Sequence, residues 1–279
     1  MILYGMKEFS IQQIAECGQA FRWNKEEDGS YTGVAFGKVI NIMQVEDELL
    51  LNNVTQKEFD EIWHPYFDLD RDYGAVIESL KGKDEHLDKA MAYGNGIRLV
   101  NQELWEMIIS YIISANNNIP RIKKSVELIA ENFGDLIAEV NGKQYYSFPT
   151  PEQLGKASME ELRACGIGYR DKYIFKTTRA VLEGEVDLSA IPDMDIDEAR
   201  KELKKLTGIA DKVADCVIMF SCNKTNAFPV DTWVKKILAQ YYGMESNSIK
   251  AVNQFANDYF GPYCGYAQQY LFYYIRETQ

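Results

Sequence analysis

Between residues 104 and 113 the apolar side chains Leu104, Trp105, Ile108, Ile109, Ile112 and Ile113 recur at helical spacing. Their face is too wide for a surface helix, so this segment must be enclosed on most sides by other elements. The chain downstream supplies them. Asn116-Asn117-Asn118 interrupts the helix, because asparagine side chains compete for backbone hydrogen bonds and favour turns. Pro120, suited to a first helical turn, opens the next helix. Further helices are expected at about 151–164, 170–183, 194–206, 211–222, 231–242, 248–260 and 264–277, with Gly or Pro at most boundaries. Upstream the pattern differs. Residues 31–53 are rich in β-branched and aromatic side chains with acidic turn material at 46–48, and a shorter helical stretch follows around 55–80. The expected fold is α+β: a small antiparallel β-containing N-terminal domain over 1–95, then a mostly α-helical body over 96–279.

Bulk properties narrow the function classes. Hydrophobic and charged fractions of 46% and 26% are ordinary for a soluble globular protein. The first residues lack a basic stretch followed by a long apolar run, so no signal peptide is expected. The most apolar run, Met107 to Ala115, is too short to span a bilayer. The expected location is the cytoplasm, on the nucleoid of a prokaryote, with no membrane partner and a monomeric state. Cys17, Cys165, Cys216, Cys222 and Cys264 are widely spaced and form no C-x-x-C pair, which argues against a zinc ribbon. His64 and His86 alone disfavour a histidine metal site or a Ser-His-Asp machine. A net charge of −12 argues at first sight against a nucleic-acid partner. The charge is uneven, however: residues 1–95 hold 9 Lys/Arg against 18 Asp/Glu, and residues 96–279 hold 21 against 24. Local basic clusters at Arg121/Lys123/Lys124, Arg170/Lys172, Lys201/Lys204/Lys205 and Lys235/Lys236 suit phosphates, and equally suit solvated helix faces.

One segment carries chemistry. In Leu206-Thr207-Gly208-Ile209-Ala210-Asp211-Lys212-Val213-Ala214-Asp215-Cys216 a helix ends, a glycine turn follows and a second helix begins. Turn amides beside a helix N-terminus suit a phosphate, the logic of a helix-hairpin-helix clamp, here at about 196–222. A short structural αα-hairpin has the same pattern. Lys212 raises the stakes, because the helix macrodipole disfavours a cation in the first turn, and partial burial favours the neutral, nucleophilic amine. A snorkelling surface lysine is the plainer alternative. Nineteen residues on, Asp231 in Phe228-Pro229-Val230-Asp231-Thr232-Trp233 reads as a helix N-cap whose carboxylate could also face Lys212. An amine with a nearby carboxylate suits displacement at a sugar carbon, where oxocarbenium-like charge develops.

K-V-A-D-C followed by P-V-D resembles the catalytic core of the 8-oxoguanine DNA glycosylase/AP lyase family, of the helix-hairpin-helix base-excision superfamily. The likeness runs along nearly the whole chain: Gly18-Gln19-Ala20-Phe21-Arg22-Trp23, Ser114-Ala115-Asn116-Asn117-Asn118-Ile119-Pro120-Arg121-Ile122, Gly166-Ile167-Gly168-Tyr169-Arg170, Gly261-Pro262-Tyr263 and Ala267-Gln268 each resemble a family motif, in the family's order. The resemblance implies a bifunctional enzyme that flips 8-oxoguanine out of duplex DNA and excises it. Lys212 would attack C1′, forming a Schiff base that permits β-elimination on the 3′ side, with Asp231 supporting charge at the sugar. The Gly18 carbonyl would accept from N7–H, which 8-oxoguanine has and guanine lacks. Gln268 would read the Watson–Crick edge, Cys216 and Phe272 would sandwich the base, and Pro229 would line the pocket, so the C-terminal helix contributes to it. Asn116 would fill the space left by the flipped nucleotide. Tyr169 would wedge beside the estranged base, and Arg121 and Arg170 would hydrogen-bond it, cytosine being the natural partner.

Some positions depart from the family pattern. Thr207 and Ala210 stand where the hairpin usually has Pro and a second Gly, which would strain Ala210 if its φ were positive. They also put in doubt the monovalent cation such hairpins often hold through carbonyls. Trp233 stands where eukaryotic relatives have His. With Cys264 alone near the C-terminus, no iron–sulfur cluster is expected, and no other cofactor or metal. The acidity of residues 1–95 is expected to face away from DNA, leaving binding salt-sensitive. The alternatives are a glycosylase for another damaged base, such as an alkylated one, and a non-catalytic helix-hairpin-helix DNA-binding protein.

Overall fold

The structure, a computed structural model, describes residues 1–140, 142–246 and 248–278. Strands β1 (Ile2–Leu3), β2 (Trp23–Lys25), β3 (Tyr31–Ala35), β4 (Lys38–Val45) and β5 (Glu48–Asn52) form one antiparallel sheet, in the order β1-β5-β4-β3-β2. The β3–β4 turn is Phe36-Gly37, both at positive φ (50° and 67°), as a type I′ turn matched to strand twist requires. Helix α1 (Ile11–Glu16) and a helical segment over 56–66 cover the inner face. Their aromatic core gathers Trp23, Trp63, Tyr66 and Phe67, and the one polar group of Trp23 is satisfied by Tyr66 Oη at 2.7 Å.

The second core is helical. Its elements are α2 (Tyr73–Leu80), α3 (Glu85–Tyr93), α4 (Leu104–Ser114), α5 (Ile119–Phe133), α6 (Asp171–Leu182), α7 (Ile196–Leu203), α8 (Asp211–Ser221), α9 (Thr232–Tyr242), α10 (Ile249–Phe260) and α11 (Cys264–Thr278). Every residue of α4 from Trp105 to Ile113 is buried, with α5, α6 and α8 against it, as the width of its apolar face demands. The same core takes in Tyr73, Val76, Leu80, Leu87 and Ala90 from α2 and α3. Helix α11 packs along α3, α9 and α10. Among the described residues no helix is long and apolar enough to cross a membrane.

Two expectations change in detail. The helix expected over 151–164 is broken into Pro151–Leu154 and Met159–Leu162, because Thr150/Gln153 and Ser158/Glu161 each form a complete capping box and start a helix of their own. Helix α7 stops at Leu203, three residues before the expected end. A hairpin of β6 (Leu136–Val140) and β7 (Lys143–Tyr146) was not anticipated.

Arg22, from the G-Q-A-F-R-W segment, joins the sheet to the helical body. It is 2% exposed, lies 3.9 Å from Glu106 of α4 and 3.3 Å from Glu127 of α5, and donates to the Tyr146 carbonyl. Burial pushes the Glu106 carboxyl up to about 8, although Arg22 draws it down. The folded state therefore prefers protonated Glu106. That preference stabilises the fold below the ordinary carboxylate value of 4.5 and is lost as pH rises through about 8. We predict that Glu106→Gln flattens the dependence of Tm on pH between those values; an unchanged slope would show that Glu106 is ionised throughout.

Candidate active site

The hairpin between α7 and α8 is built by its backbone. Gly208 sits at φ +92°, and a Cβ there would meet Tyr173 Cβ at 2.9 Å, so only glycine fits. Thr177 Oγ1 donates to the Thr207 carbonyl at 2.8 Å and braces the turn from α6. Ala210 has φ −102°, ordinary extended backbone, so alanine carries no left-handed strain there. It offers no side-chain cap, leaving the first amides of α8 without one. The two helices are pinned by Asp215, fully buried on α8, which accepts from Arg200 Nε at 2.8 Å. Burial pushes the Asp215 carboxyl up to about 6 against the pull of Arg200.

Lys212 lies half-buried in the first turn of α8, its Nζ 5.1 Å over the Tyr111 ring. One turn on, Cys216 is 4% exposed and burial pushes its thiol up to about 11, which leaves it a neutral, weakly polar surface. Asp231 caps α9, its Oδ1 accepting from Val234 N at 2.8 Å. Its second carboxylate oxygen is not needed for the cap.

The structure brings seven of the sequence-selected residues together. Lys212, Asp231, Gly18, Cys216, Pro229, Gln268 and Phe272 line one cavity, open to solvent. Two acceptors in it are unspent among the described residues. Gly18, at φ +90°, follows a run of occupied carbonyls: Glu16 O accepts from Arg276, and Cys17 O accepts from Gln269. Gln19 O likewise accepts from Gln102, so within 16–19 the Gly18 carbonyl is the one without a partner among the described residues. Gln268 is 6% exposed, with a buried Oε1 that has no partner. The buried Gln268 Oε1 costs free energy unless a ligand supplies the donor. The cavity opens into a wider cleft that shares Gly18, Lys212, Asp231 and Phe272 and continues past Trp233, Lys123 and Arg276.

The remaining selected residues stand outside the cavity. Asn116 is exposed at φ +50°, a conformation asparagine tolerates better than most residues. Its two neighbours have separate tasks: Asn117 Nδ2 donates to the Ile113 carbonyl, and Asn118 Oδ1 caps α5. Arg121 is exposed on α5, and Tyr169 is 53% exposed. Arg170 departs from its expected place. It is 5% exposed, and its guanidinium donates to the carbonyls of Ala115, Asn116 and Ile167, beneath the Tyr169 ring at 4.6 Å. Four of its five N–H groups are spent on these carbonyls, so in this structure it mainly braces the Asn116 turn. Tyr111, Phe220 and Gln269 complete the cavity wall and were not selected from sequence. In sequence Tyr111 is one more apolar residue of α4, and only the fold shows that it underlies the lysine.

An amine on the second helix of a helix-hairpin-helix, lining an open cavity beside a helix-capping carboxylate, defines a class: base-excision DNA glycosylases of the helix-hairpin-helix type. Residues 1–108 match the model of the 8-oxoguanine DNA glycosylase N-terminal domain, and residues 109–262 that of the HhH-GPD superfamily of base excision DNA repair proteins. The N-glycosylase/DNA lyase of Saccharomyces cerevisiae is 32% identical over 86% of this chain and 70% of its own. The 8-oxoguanine glycosylase/lyase of Clostridium acetobutylicum, solved with dsDNA containing cytosine opposite 8-oxoG, is 41% identical with TM-score 0.94, over 99% of this chain and 94% of that one. The structure of MBOgg1 with a low-affinity DNA ligand is 44% identical with TM-score 0.94, over 99% and 95%. The chain belongs to the 8-oxoguanine DNA glycosylase family.

Proposed function

We propose that this protein removes 8-oxoguanine from duplex DNA in base-excision repair and then cleaves the strand, as a bifunctional glycosylase/lyase. The observation that carries this reading is the pair of unspent acceptors, Gly18 O and Gln268 Oε1, in the cavity that also holds Lys212 and Asp231. 8-Oxoguanine supplies matching donors: N7–H for Gly18, and the N1–H and N2–H of the Watson–Crick edge for Gln268. Guanine would turn a lone pair at N7 towards the Gly18 carbonyl, which is repulsive. Phe272 and Cys216 hold the two faces of the base and Pro229 its edge.

The Lys212 amine attacks C1′ as the C1′–N9 bond breaks, and the bonding pair leaves with the base. Asp231 stabilises the positive charge that grows on the sugar ring. As the sugar opens to a Schiff base, one Lys212 proton goes to the departed base and the other to the ring oxygen. That imine acidifies C2′, and loss of a C2′ proton expels the 3′ phosphate. Water then releases the lysine. Asn116 fills the vacated stack, Tyr169 wedges beside the estranged base, and Arg121 reads it, with cytosine the best acceptor set for arginine. Phosphates bind at the uncapped N-terminus of α8. A monovalent cation on the hairpin carbonyls would steady the turn and take no part in the chemistry. The enzyme acts as a monomer.

Borohydride trapping tests this reading. A covalent adduct is expected with a duplex containing 8-oxoguanine opposite cytosine, and none with undamaged or 7-methylguanine duplex. Trapping on the alkylated duplex alone would reassign the lesion; duplex binding without base release from either would leave a DNA clamp. Within the same assay, Gly18→Ala should lower excision at least about tenfold, the scale of one lost hydrogen bond to a buried group. Its methyl would sit at φ +90° and 2.5 Å from Arg276 Nη1. Parent-like excision by that variant would remove Gly18 from lesion recognition.

A further inference from the structure

Arg276 is a residue that neither the fold nor the proposed reaction explains in full. It lies in the last turn of α11, one turn beyond Phe272. Two of its nitrogens are engaged: Nη2 donates to Glu16 O at 2.6 Å, and Nε to Glu277 Oε1 at 2.8 Å. The third, Nη1, is buried and has no partner among the described residues. A cationic donor left unpaired in a packed site is costly. Its position is informative. A Cβ built on Gly18 would come within 2.5 Å of Nη1, so Nη1 lies within about 4 Å of Gly18 Cα. The guanidinium carbon sits 5.5 Å from the Phe272 ring and 5.1 Å from that of Tyr273. Gly18 and Phe272 belong to both the base cavity and the cleft that Arg276 lines.

An unspent donor in the adjoining cleft thus lies against Gly18, whose carbonyl is an unspent acceptor at the cavity. The edge that distinguishes 8-oxoguanine carries the complementary pair, a donor at N7–H and an acceptor at O8. We propose that Arg276 is a specificity-determining residue whose Nη1 donates to O8 of the lesion while the Gly18 carbonyl accepts from N7–H; this rests on the function proposed above. Guanine fails both tests at once, presenting a lone pair to the carbonyl and C8–H to the guanidinium. The contact also strengthens during the reaction. As the C1′–N9 bond breaks, its electron pair enters the base and spreads over N9, C8 and O8. A cationic donor at O8 stabilises that charge more than it stabilises the ground state.

The experiment pairs two substrates with parent, Arg276→Gln and Arg276→Lys proteins. Single-turnover excision of 8-oxoguanine opposite cytosine should fall at least about tenfold in Arg276→Gln, the loss expected for one charge-assisted hydrogen bond. Strand cleavage at a preformed abasic site, which has no O8, should stay within about twofold of the parent. A duplex carrying the 8-thioxo analogue keeps N7–H and weakens only the acceptor. The parent should prefer the oxo to the thioxo base more strongly than either variant does. If excision and abasic-site cleavage fall together, Arg276 is a scaffold or backbone contact and the proposal fails. Unchanged excision, or an oxo-to-thioxo preference equal in parent and variants, also ends it. A parent that releases no 8-oxoguanine at all overturns the underlying function and this inference with it.

Discussion

Lys212→Gln is expected to abolish the borohydride-trapped adduct and to slow both base release and strand cleavage by at least about 10³-fold, as loss of an attacking group does. The substitution leaves the helix and its packing intact. Lys212 is half-buried in the first turn of α8, and the helix is held by Val213, Ala214, Val217 and Ile218 in the core and by the Asp215–Arg200 pair. None of these depends on the amine. Glutamine keeps most of the stem that packs over Tyr111, and it removes a cation that the helix macrodipole disfavours at that end. The fold should therefore melt at or slightly above the parent's temperature. Loss of activity then reports chemistry. The informative rival outcome is a variant that still releases the base and does not cleave the strand. Water, activated at Asp231, would then be the nucleophile, and Lys212 would serve only the second step.

The parts of this molecule legible in its sequence are those whose cause is local. The enclosure of α4 follows from the width of its apolar face, the β3–β4–β5 strands from β-branched and aromatic content with turn residues between, and the cap at Asp231 from a single position. The chemistry-bearing cavity was reachable because its motifs resemble those of a known family, which named seven of its lining residues before their contact was known. Apart from the hairpin of β6 and β7, what the sequence does not show depends on partners far along the chain. The hairpin of β6 and β7 does carry a local signal, Asn141-Gly142 between two strand-like runs. Helices α1 and α3 are six and nine residues long, and fold only because the cores beneath them are complete. Arg170 reads in sequence as one more surface cation beside Tyr169. Its burial follows from the Asn116 turn, 54 residues away, whose carbonyls need donors. Arg276 reads as the ordinary basic end of a helix, and it becomes informative only when Gly18 is found against it. Ala210 shows the reverse. The departure from glycine suggested strain, and a backbone at φ −102° removes it.

The second large effect is expected at Asp231, and it separates two tasks that one carboxylate performs. One oxygen, Oδ1, caps α9 through Val234 N at 2.8 Å. The charge of the group is what the proposed reaction uses. Asp231→Asn keeps a carbonyl oxygen that caps as well as carboxylate does, so stability should be nearly unchanged. It removes the charge, and the excision rate should fall about 10²- to 10³-fold, the scale of losing one preorganised electrostatic group at developing charge. Cleavage at a preformed abasic site should fall much less. There Lys212 attacks an aldehyde, no base departs, and no oxocarbenium-like charge has to be balanced. Asp231→Ala removes both functions and should add a destabilisation of about 1 kcal/mol from the lost cap. Measured together, thermal melting and the two rates resolve the roles. Should Asp231→Asn lose as much in abasic-site cleavage as in excision, the carboxylate acts on Lys212 itself, as its base or its orienting partner. Electrostatic support of the sugar would then no longer account for the residue, and the helix cap and the lysine would form one coupled unit.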